Sequence, residues 1–596
     1  MKKEALHMLH NSRLINKAWL PPLVALILLL AACGGGSSAP TTTQPGAAKA
    51  PASQQTLIWP IPGVTDIATL DPALAEDVYS GQAISMLFNG LVTYNDKTQL
   101  VPDLAQSYSL SPDGLTWTFH LRPNLKFSDG TPLTSADAAY SIDRSLQPAT
   151  KSGFALTELG AIKDSDKLNA GKIKTLIGDS LLTPDPQTFV IVTSKRAAYL
   201  LDSLNASPAN ILEKSLVSKY GLDFTKHLIG GGGGAGPWIL HQYIHSRYLE
   251  FVPNPNYYGP KPQLKKVVMP IYAKQDTTYK DYQVNRVDFS FVPTAELAGA
   301  KALPKGQFRE DPALNEEFFT MNYLVKPFDN IKVRQAFALA LNKDRIAQFI
   351  YKGSVIPTNH IIPQGAAGYN PDLTGPAGVK STAGDPALAK KLLQEGLQEE
   401  GLTIASLPPI SFEVSSGGQQ DLRNTWAAAQ QMWQSALGIP VKINDTDFNK
   451  LVKDITGSVG NGNVMALGVG WNGSPDPYDW MTMQFAAGSG VNLSNYGQNH
   501  ASDAAQQQQT QQLLSQADSN VSNRAQRLQQ YAQAEQQIVN DVGWITIYQV
   551  KTIYVVKPCV QGWPHNAFGQ FSMTQADWGN IYISTQTPCS ITNAYP

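Results

Sequence analysis

Between Asp385 and Ile443 the sequence is committed to a layered α/β architecture. Asp385-Pro386 supplies a cap and a proline at the first helical position, and Ala387–Glu395 follows as a helix that Gly396 is expected to end. A second helix carries Leu422, Trp426, Ala429, Trp433 and Leu437 on one face and meets stop signals at Gly438 and Pro440. The strand Val441-Lys442-Ile443 begins at once. A helix that leads so tightly into a strand has to pack back on a sheet, which predicts an α/β lobe. Other strand signals are short and β-branched or aromatic: Trp117–Leu121, Phe189–Val192 and Trp544–Tyr548. Pro112–Gly114 and Ser128–Gly130 mark turns in a strand-rich region. Gly230–Gly234 reads as a mobile loop between units, and no Gly-Lys-Ser/Thr follows it as a phosphate loop requires. The glutamine-rich stretch Gln506–Gln512 predicts a polar helix face or a loop.

Residues 1–32 read as an export signal rather than as part of the fold. Lys2, Lys3, Arg13 and Lys17 precede the aliphatic run Leu23–Leu30, which is short for a bilayer span. Leu30-Ala31-Ala32-Cys33 then looks like a lipobox, with Cys33 as the lipid attachment point; the bland alternative is an ordinary signal peptide with an incidental cysteine. Cleavage before Cys33 removes four basic residues and one acidic residue, taking the formal net charge from −1 to −4. Residues 33–55, rich in Gly, Ser, Thr, Pro, Ala and Gln, cannot build a core and read as a flexible linker. The expectation is a globular body tethered by lipid at the extracytoplasmic face of a membrane.

With 596 residues, 42% of them hydrophobic and only 16% charged, the chain can bury large cores. The near balance of 46 basic and 47 acidic residues gives no basic face for nucleic acid. A hydrolase needs an activated nucleophile or a metal set, and neither is supported. His-Glu-x-x-His and Gly-x-Ser-x-Gly are absent. Gly178-Asp179-Ser180-Leu181 matches one esterase signature, but none of the nine histidines follows an aspartate by three, so Ser180 reads as a turn residue. Asp445-Thr446-Asp447 lacks the glycine and distal glutamate of a calcium loop and reads as a cap or turn. His241 and His245 lie on a strand signal, so no metal and no cofactor is expected. Cys559 and Cys589, 30 residues apart in an exported chain, are expected to pair as a disulfide or to stay as buried thiols.

Ordered along the chain stand Leu70-Asp71-Pro72, Leu87-Phe88-Asn89-Gly90-Leu91 and Val101-Pro102-Asp103-Leu104-Ala105. Then come Ser111–Arg122, Phe127–Thr134 with Ala136-Asp137, Gly236-Pro237-Trp238 and Asn254–Gly259. The series continues with Val333–Ala338, Trp471–Pro477 and Lys557–Val560. In this order the blocks resemble the family 5 extracellular solute-binding proteins, the peptide/nickel class that serves bacterial ABC importers. The resemblance runs from about Leu57 to the C-terminus. It implies a two-lobed, hinged periplasmic-binding-protein-like α/β fold with an extra subdomain on lobe one. Carried over, lobe one comprises 56–105, 235–318 and 543–596, the subdomain 106–234 and lobe two 319–542. The chain would cross between lobes near Phe319–Asn322 and near Trp544–Tyr548. The implied partners are a peptide or similar small solute and the importer's permease subunits, with the protein itself a monomer.

The same resemblance implies a binding cleft between the lobes, formed by Glu76, Val78, Tyr79 and Ser80, by Asn322, by Gly470, Trp471, Asn472, Gly473, Ser474 and Asp476, and by Tyr548 with Val550. Peptide-binding members often place an aspartate three residues after the tryptophan to meet the ligand's ammonium, and some place an arginine three residues before it. Here those positions hold Ser474 and Gly468. Asp476 is either the substitute ammonium partner or an Asp-Pro turn residue. Without the usual charge anchors, nickel chelates, opines and oligosaccharides stay open as alternative solutes. Arg334 is expected in a structural ion pair near the hinge.

Overall fold

The computed structural model describes residues 47–568 and 573–591 together with Tyr595. The export signal and Cys33 lie outside the described residues. Three sheets organise the rest. In the first, Thr56–Ile58 runs parallel to Lys266–Tyr272, which continues antiparallel to Tyr248–Pro253 and then Trp238–Ile244. The second sheet has the order Phe289–Phe291, Ile545–Val556, Phe308–Met321, Ala466–Asn472, Ile410–Val414, Val441–Asp445. A smaller antiparallel sheet contains Ala105–Leu110, Thr116–Leu121, Thr188–Val192 and Leu181–Asp185.

Each sheet has its own core. Trp59, Trp238, Phe251 and Trp578 pack on the first. Trp117, Phe119, Phe127 and Leu146 build the subdomain core. The second sheet is covered on both faces, by a cluster around Phe319, Trp426 and Trp433 and by another around Phe318, Trp480 and Trp544. Phe318 and Phe319 go to opposite faces because successive side chains of a strand alternate. The expected strand–helix–strand unit is there: Ile410–Val414 and Val441–Asp445 are parallel, joined through the helix Gln420–Leu437, which ends at Gly438 in the left-handed region.

Two long strands tie the lobes together. Tyr554 and Val556 belong to the lobe-one core, whereas Ile545 and Ile547 belong to lobe two. The pairing register of Phe308–Met321 with Ile545–Val556 breaks between Pro312 and Glu316. Along these continuous strands core membership changes between Phe308 and Leu314 and between Val550 and Ile553. Core membership is mixed near the edges of the subdomain. Leu91 and Val92 pack with it, whereas Leu212, Val217 and Phe224 pack with lobe one.

Local signals misled in three places. The helix Pro386–Glu399 runs straight through Gly396, where a Cβ would approach Val333 to 2.9 Å, so this glycine serves close helix packing and not termination. The run Gly230–Gly234 is no loose loop. Gly232–Gly234 are buried, Gly230–Gly233 all take positive φ, and a Cβ on Gly234 would stand 2.1 Å from the Leu87 carbonyl oxygen. The positive φ of Gly230–Gly233 and the close approach at Gly234 each call for glycine. The last residues of the expected linker, from Ala47, belong to the folded body. Ala50 N donates to Ile583 O, and the buried Gln55 side chain donates to Ala50 O and Ile583 O. Cys559 and Cys589 form the disulfide, fixing the C-terminal segment beside Asp288.

Candidate functional site

The turn after the strand Ala466–Asn472 is built almost entirely from its own polar groups. Ser474 N donates to Asp479 Oδ2 at 2.6 Å, Trp471 Nε1 to Asp479 Oδ1 at 3.2 Å, and Trp480 Nε1 to Ser474 O at 2.8 Å. Gly473 lies against the Trp480 ring. Asp476 caps the short helix Pro477–Trp480 through Tyr478 N, and Arg527 grips both of its oxygens at 2.6 and 2.7 Å. Of the two readings of Asp476, this geometry favours the turn-and-cap role, because its charge is already met inside lobe two.

This turn faces the subdomain. Ser474 Oγ donates to Asp202 Oδ2 at 2.7 Å, and the Tyr94 hydroxyl donates to the other oxygen of Asp202. Beside the bridge Tyr199 stacks on Tyr478 with ring centroids 3.6 Å apart, and Ala198 N donates to Asp518 O. Thr98 reaches the Gly365 carbonyl at 3.0 Å. Tyr94 contributes to the walls of two cavities. One, of 280 Å3, is bordered by Val78, Gln82, Asn205 and Phe568. The other, of 650 Å3, lies between Tyr108 and Trp117 of the subdomain and Pro475 and Arg527 of lobe two.

The residues expected at the cleft divide into two sets. Trp471 and Ser474 are half-buried and Gly470 and Asn472 exposed, at the end of the strand facing the other lobe. Glu76 is exposed with its carboxylate against Gly153, and Val78 lines the smaller cavity. The others face inward. Ser80 is buried and accepts from Thr69 N. Tyr79 is half-buried with its hydroxyl beside Gly63. Asn322 spends its side chain on Asn461 O, Val464 O, Leu324 N and Asn495. Tyr548 is buried with its hydroxyl on Tyr351, and Val550 packs on the lobe-two core. These five make their contacts inside the protein. Arg334 is a structural ion-pair residue, fully buried between Asp503, Asp541 O and the Tyr323 ring.

Sequence reasoning missed the acids. Burial pushes Glu158 up to about 7, with Asp479 adding to the rise, and burial pushes Asp479 up to about 6. Asp202 is raised well above the usual carboxylate range, first by burial and then by Asp476. Glu158 makes no side-chain hydrogen bond or ion pair among the described residues. Arg527 is the near cation, and Asp476 already occupies it. A group of carboxylates that raise one another's pKa is a place with a deficit of positive charge.

That deficit has a pH signature. Glu158 and Asp479 hold protons in the folded protein at pH values where the unfolded chain has released them, so unfolding releases protons and stability falls as pH rises. The window opens at the unfolded carboxylate values near 4 and closes above the folded values of about 6 and 7. Ligand-free protein should therefore gain less thermal stability on going from pH 8 to pH 5 when it carries Glu158→Gln and Asp479→Asn than when it does not. Equal gains in the two proteins would contradict the raised values.

A family model for bacterial extracellular solute-binding proteins, family 5 (middle), matches residues 99–492. The periplasmic murein peptide-binding protein MppA of Escherichia coli (strain K12) is 27% identical over 512 residues, covering 84% of this chain and 89% of that protein. The oligopeptide-binding protein OppA of Bacillus subtilis (strain 168) is 26% identical over 398 residues, 65% of this chain and 70% of that one. Among solved structures, the unliganded open form of MppA aligns with a TM-score of 0.74 at 24% identity, over 91% of this chain and 99% of that chain. That last likeness speaks to the fold.

Proposed function

The chain belongs to the bacterial extracellular solute-binding proteins of family 5, and from that membership we propose that it captures peptides between its two lobes and delivers them to the permease of an ABC importer. The observation that carries the reading is the acidic pair at the Trp471 turn, where Asp479 accepts from Trp471 Nε1 and adds to the burial that raises the pKa of Glu158, and neither acid has an ion pair among the described residues. A ligand ammonium supplies the missing charge, so these two acids take over the task that Ser474 cannot perform. The exposed strand end Gly470–Asn472 offers backbone to an extended ligand, in the manner of an added strand. The names of MppA and OppA agree in class. Membership in a solute-binding family supports binding as the activity.

A ligand that touches both lobes favours the closed form by contacts the open form cannot make. The hinge is the pair of long strands, bending at the register break near Pro312–Glu316. Delivery requires the body to stay near the membrane, and Cys33 is the lipid anchor for a monomer held at the extracytoplasmic face. Cys33→Ser should release the protein into the soluble exported fraction or stall its processing. Unchanged membrane attachment with normal maturation would contradict the anchor. No helix among the described residues is long and apolar enough to cross a membrane.

Calorimetric titration with free di- to pentapeptides tests the function. One-to-one binding at micromolar or lower Kd, equivalent to about −8 kcal/mol or better, is the expected result. Binding of a nickel chelate, an opine or an oligosaccharide, with no heat from any peptide, would overturn it.

A further inference from the structure

The strand Ala466–Asn472 has one open edge. The neighbouring strand Ile410–Val414 pairs with it only at Leu467 and Gly468. On the other edge Phe308–Met321 stays paired with it as far as Asn472. Gly473 N donates to Leu314 O, and Asn322 N donates to Met465 O, one at each end of this ladder. Bonded pairs alternate along an antiparallel ladder. Val469 and Trp471 therefore turn their backbone groups to Phe308–Met321, and Gly470 and Asn472 turn theirs to the open edge. Gly470 and Asn472 are both exposed.

Glu317 stands directly across from Gly470 and on the same face of the sheet. Its carboxyl group lies over the glycine, because a Cβ on Gly470 would come within 2.7 Å of Glu317 Oε2. With no side chain in the way, the group reaches the strand that carries the open edge. Glu317 is half-buried and makes no side-chain hydrogen bond or ion pair among the described residues. Near it are the hydroxyls of Tyr351 and Tyr548, bonded to each other at 2.7 Å, with Asp421 beyond them. Lys551, on the facing strand Ile545–Val556, is engaged with Glu310 and Gly353 O. Burial pushes Glu317 up to about 8, and no cation offsets that rise.

We propose that Glu317 is a specificity residue that favours a cationic side chain, lysine or arginine, at one inner position of an extended ligand. That the ligand is a peptide rests on the function proposed above. A ligand strand added at the open edge bonds to the backbone of Gly470. The ligand residue opposite Gly470 then has its side chain on the face where Glu317 lies, since directly opposed residues of paired strands share a face. Asp479 is held by Ser474 N, past the end of the strand, so the cation that meets Glu317 is a second one, farther along the ligand than the terminal ammonium. An acidic side chain at the same position meets a like charge and is disfavoured.

The test moves one lysine through tetra-alanine, with norleucine at the same positions as the uncharged counterpart, by calorimetry on the full-length protein. At one inner position lysine should bind at least roughly tenfold more tightly than norleucine, because its contact is charge-assisted. Glu317→Gln keeps the shape of the side chain and should bring that ratio close to one, leaving the ratios at the other positions unchanged. Gly470→Ala keeps the carboxyl group but puts a methyl where it lies, and should lower the same ratio. That second variant serves even if Glu317→Gln fails to fold. Equal affinities of the lysine and norleucine peptides at both inner positions, or a lysine preference that either variant leaves untouched, would overturn the role of Glu317. Failure of every tetrapeptide to bind would sink the peptide function and this inference with it, whereas peptides that bind without a lysine preference sink the inference alone.

Discussion

Arg527→Leu is expected to lower the stability of the protein by about 3–5 kcal/mol, the range for removing one partner of a buried ion pair. The side chains of Arg527 and Asp476 are 5% and 12% exposed, and their two hydrogen bonds are 2.6 and 2.7 Å long. Without the guanidinium, the Asp476 carboxylate stays buried with one backbone N–H from Tyr478 as its main support. The same carboxylate fixes the start of the helix Pro477–Trp480, so the turn that faces the subdomain loosens with it. Asp476→Asn keeps the cap acceptor and removes the charge, but strands Arg527 in turn. Combining Arg527→Leu with Asp476→Asn should recover a large part of either loss, because a neutral pair carries no unmatched charge. Chemical denaturation of the four proteins measures the coupling. Additive losses, or a loss under about 1 kcal/mol for Arg527→Leu, the scale of an exposed ion pair, would show that the pair does not hold the turn.

How much of this could be read from the sequence depends on how locally each feature is determined. The strands Thr116–Leu121 and Thr188–Val192 and the helix Gln420–Leu437 follow from side-chain periodicity and end signals. Gly396 and Gly230–Gly234 failed for one reason: a glycine needed for close approach has the same letter as a glycine that ends a helix or frees a loop. The turn from Trp471 to Asp476 was legible as a motif. What it faces was not, since Ser474 meets Asp202 across 272 residues of sequence and Glu158 lies still farther away. Asn322 and Tyr548 were expected to face the ligand, yet their polar atoms are taken by Asn461, Val464 and Tyr351. Only the packed structure reveals that competition.

The second large effect concerns affinity. Glu158→Gln and Asp479→Asn should each weaken a free peptide by about 2–5 kcal/mol, as for truncating one partner of a buried, hydrogen-bonded charge pair. Glu158→Gln is the cleaner change, because Glu158 makes no side-chain hydrogen bond inside the protein among the described residues. Asp479 also holds Trp471 Nε1 and Ser474 N, so its replacement disturbs the turn. Acetylating the peptide's N-terminus should produce a comparable loss, and the loss should not add to that of Glu158→Gln. Acidification should weaken the free peptide as Glu158 and Asp479 protonate below about 7 and about 6, opposite in sign to its effect on the stability of the empty protein. Full additivity of acetylation and Glu158→Gln would remove Glu158 from the ligand's ammonium.

The account turns on a peptide lying between the lobes with its ammonium toward Asp479 and Glu158. Native mass spectrometry of the protein purified from its producing cell without refolding tests this most directly. One peptide per chain should be released from the unaltered protein and be missing from the Glu158→Gln, Asp479→Asn variant. A non-peptide solute in the unaltered protein, or the same peptide complement in both proteins, would contradict it.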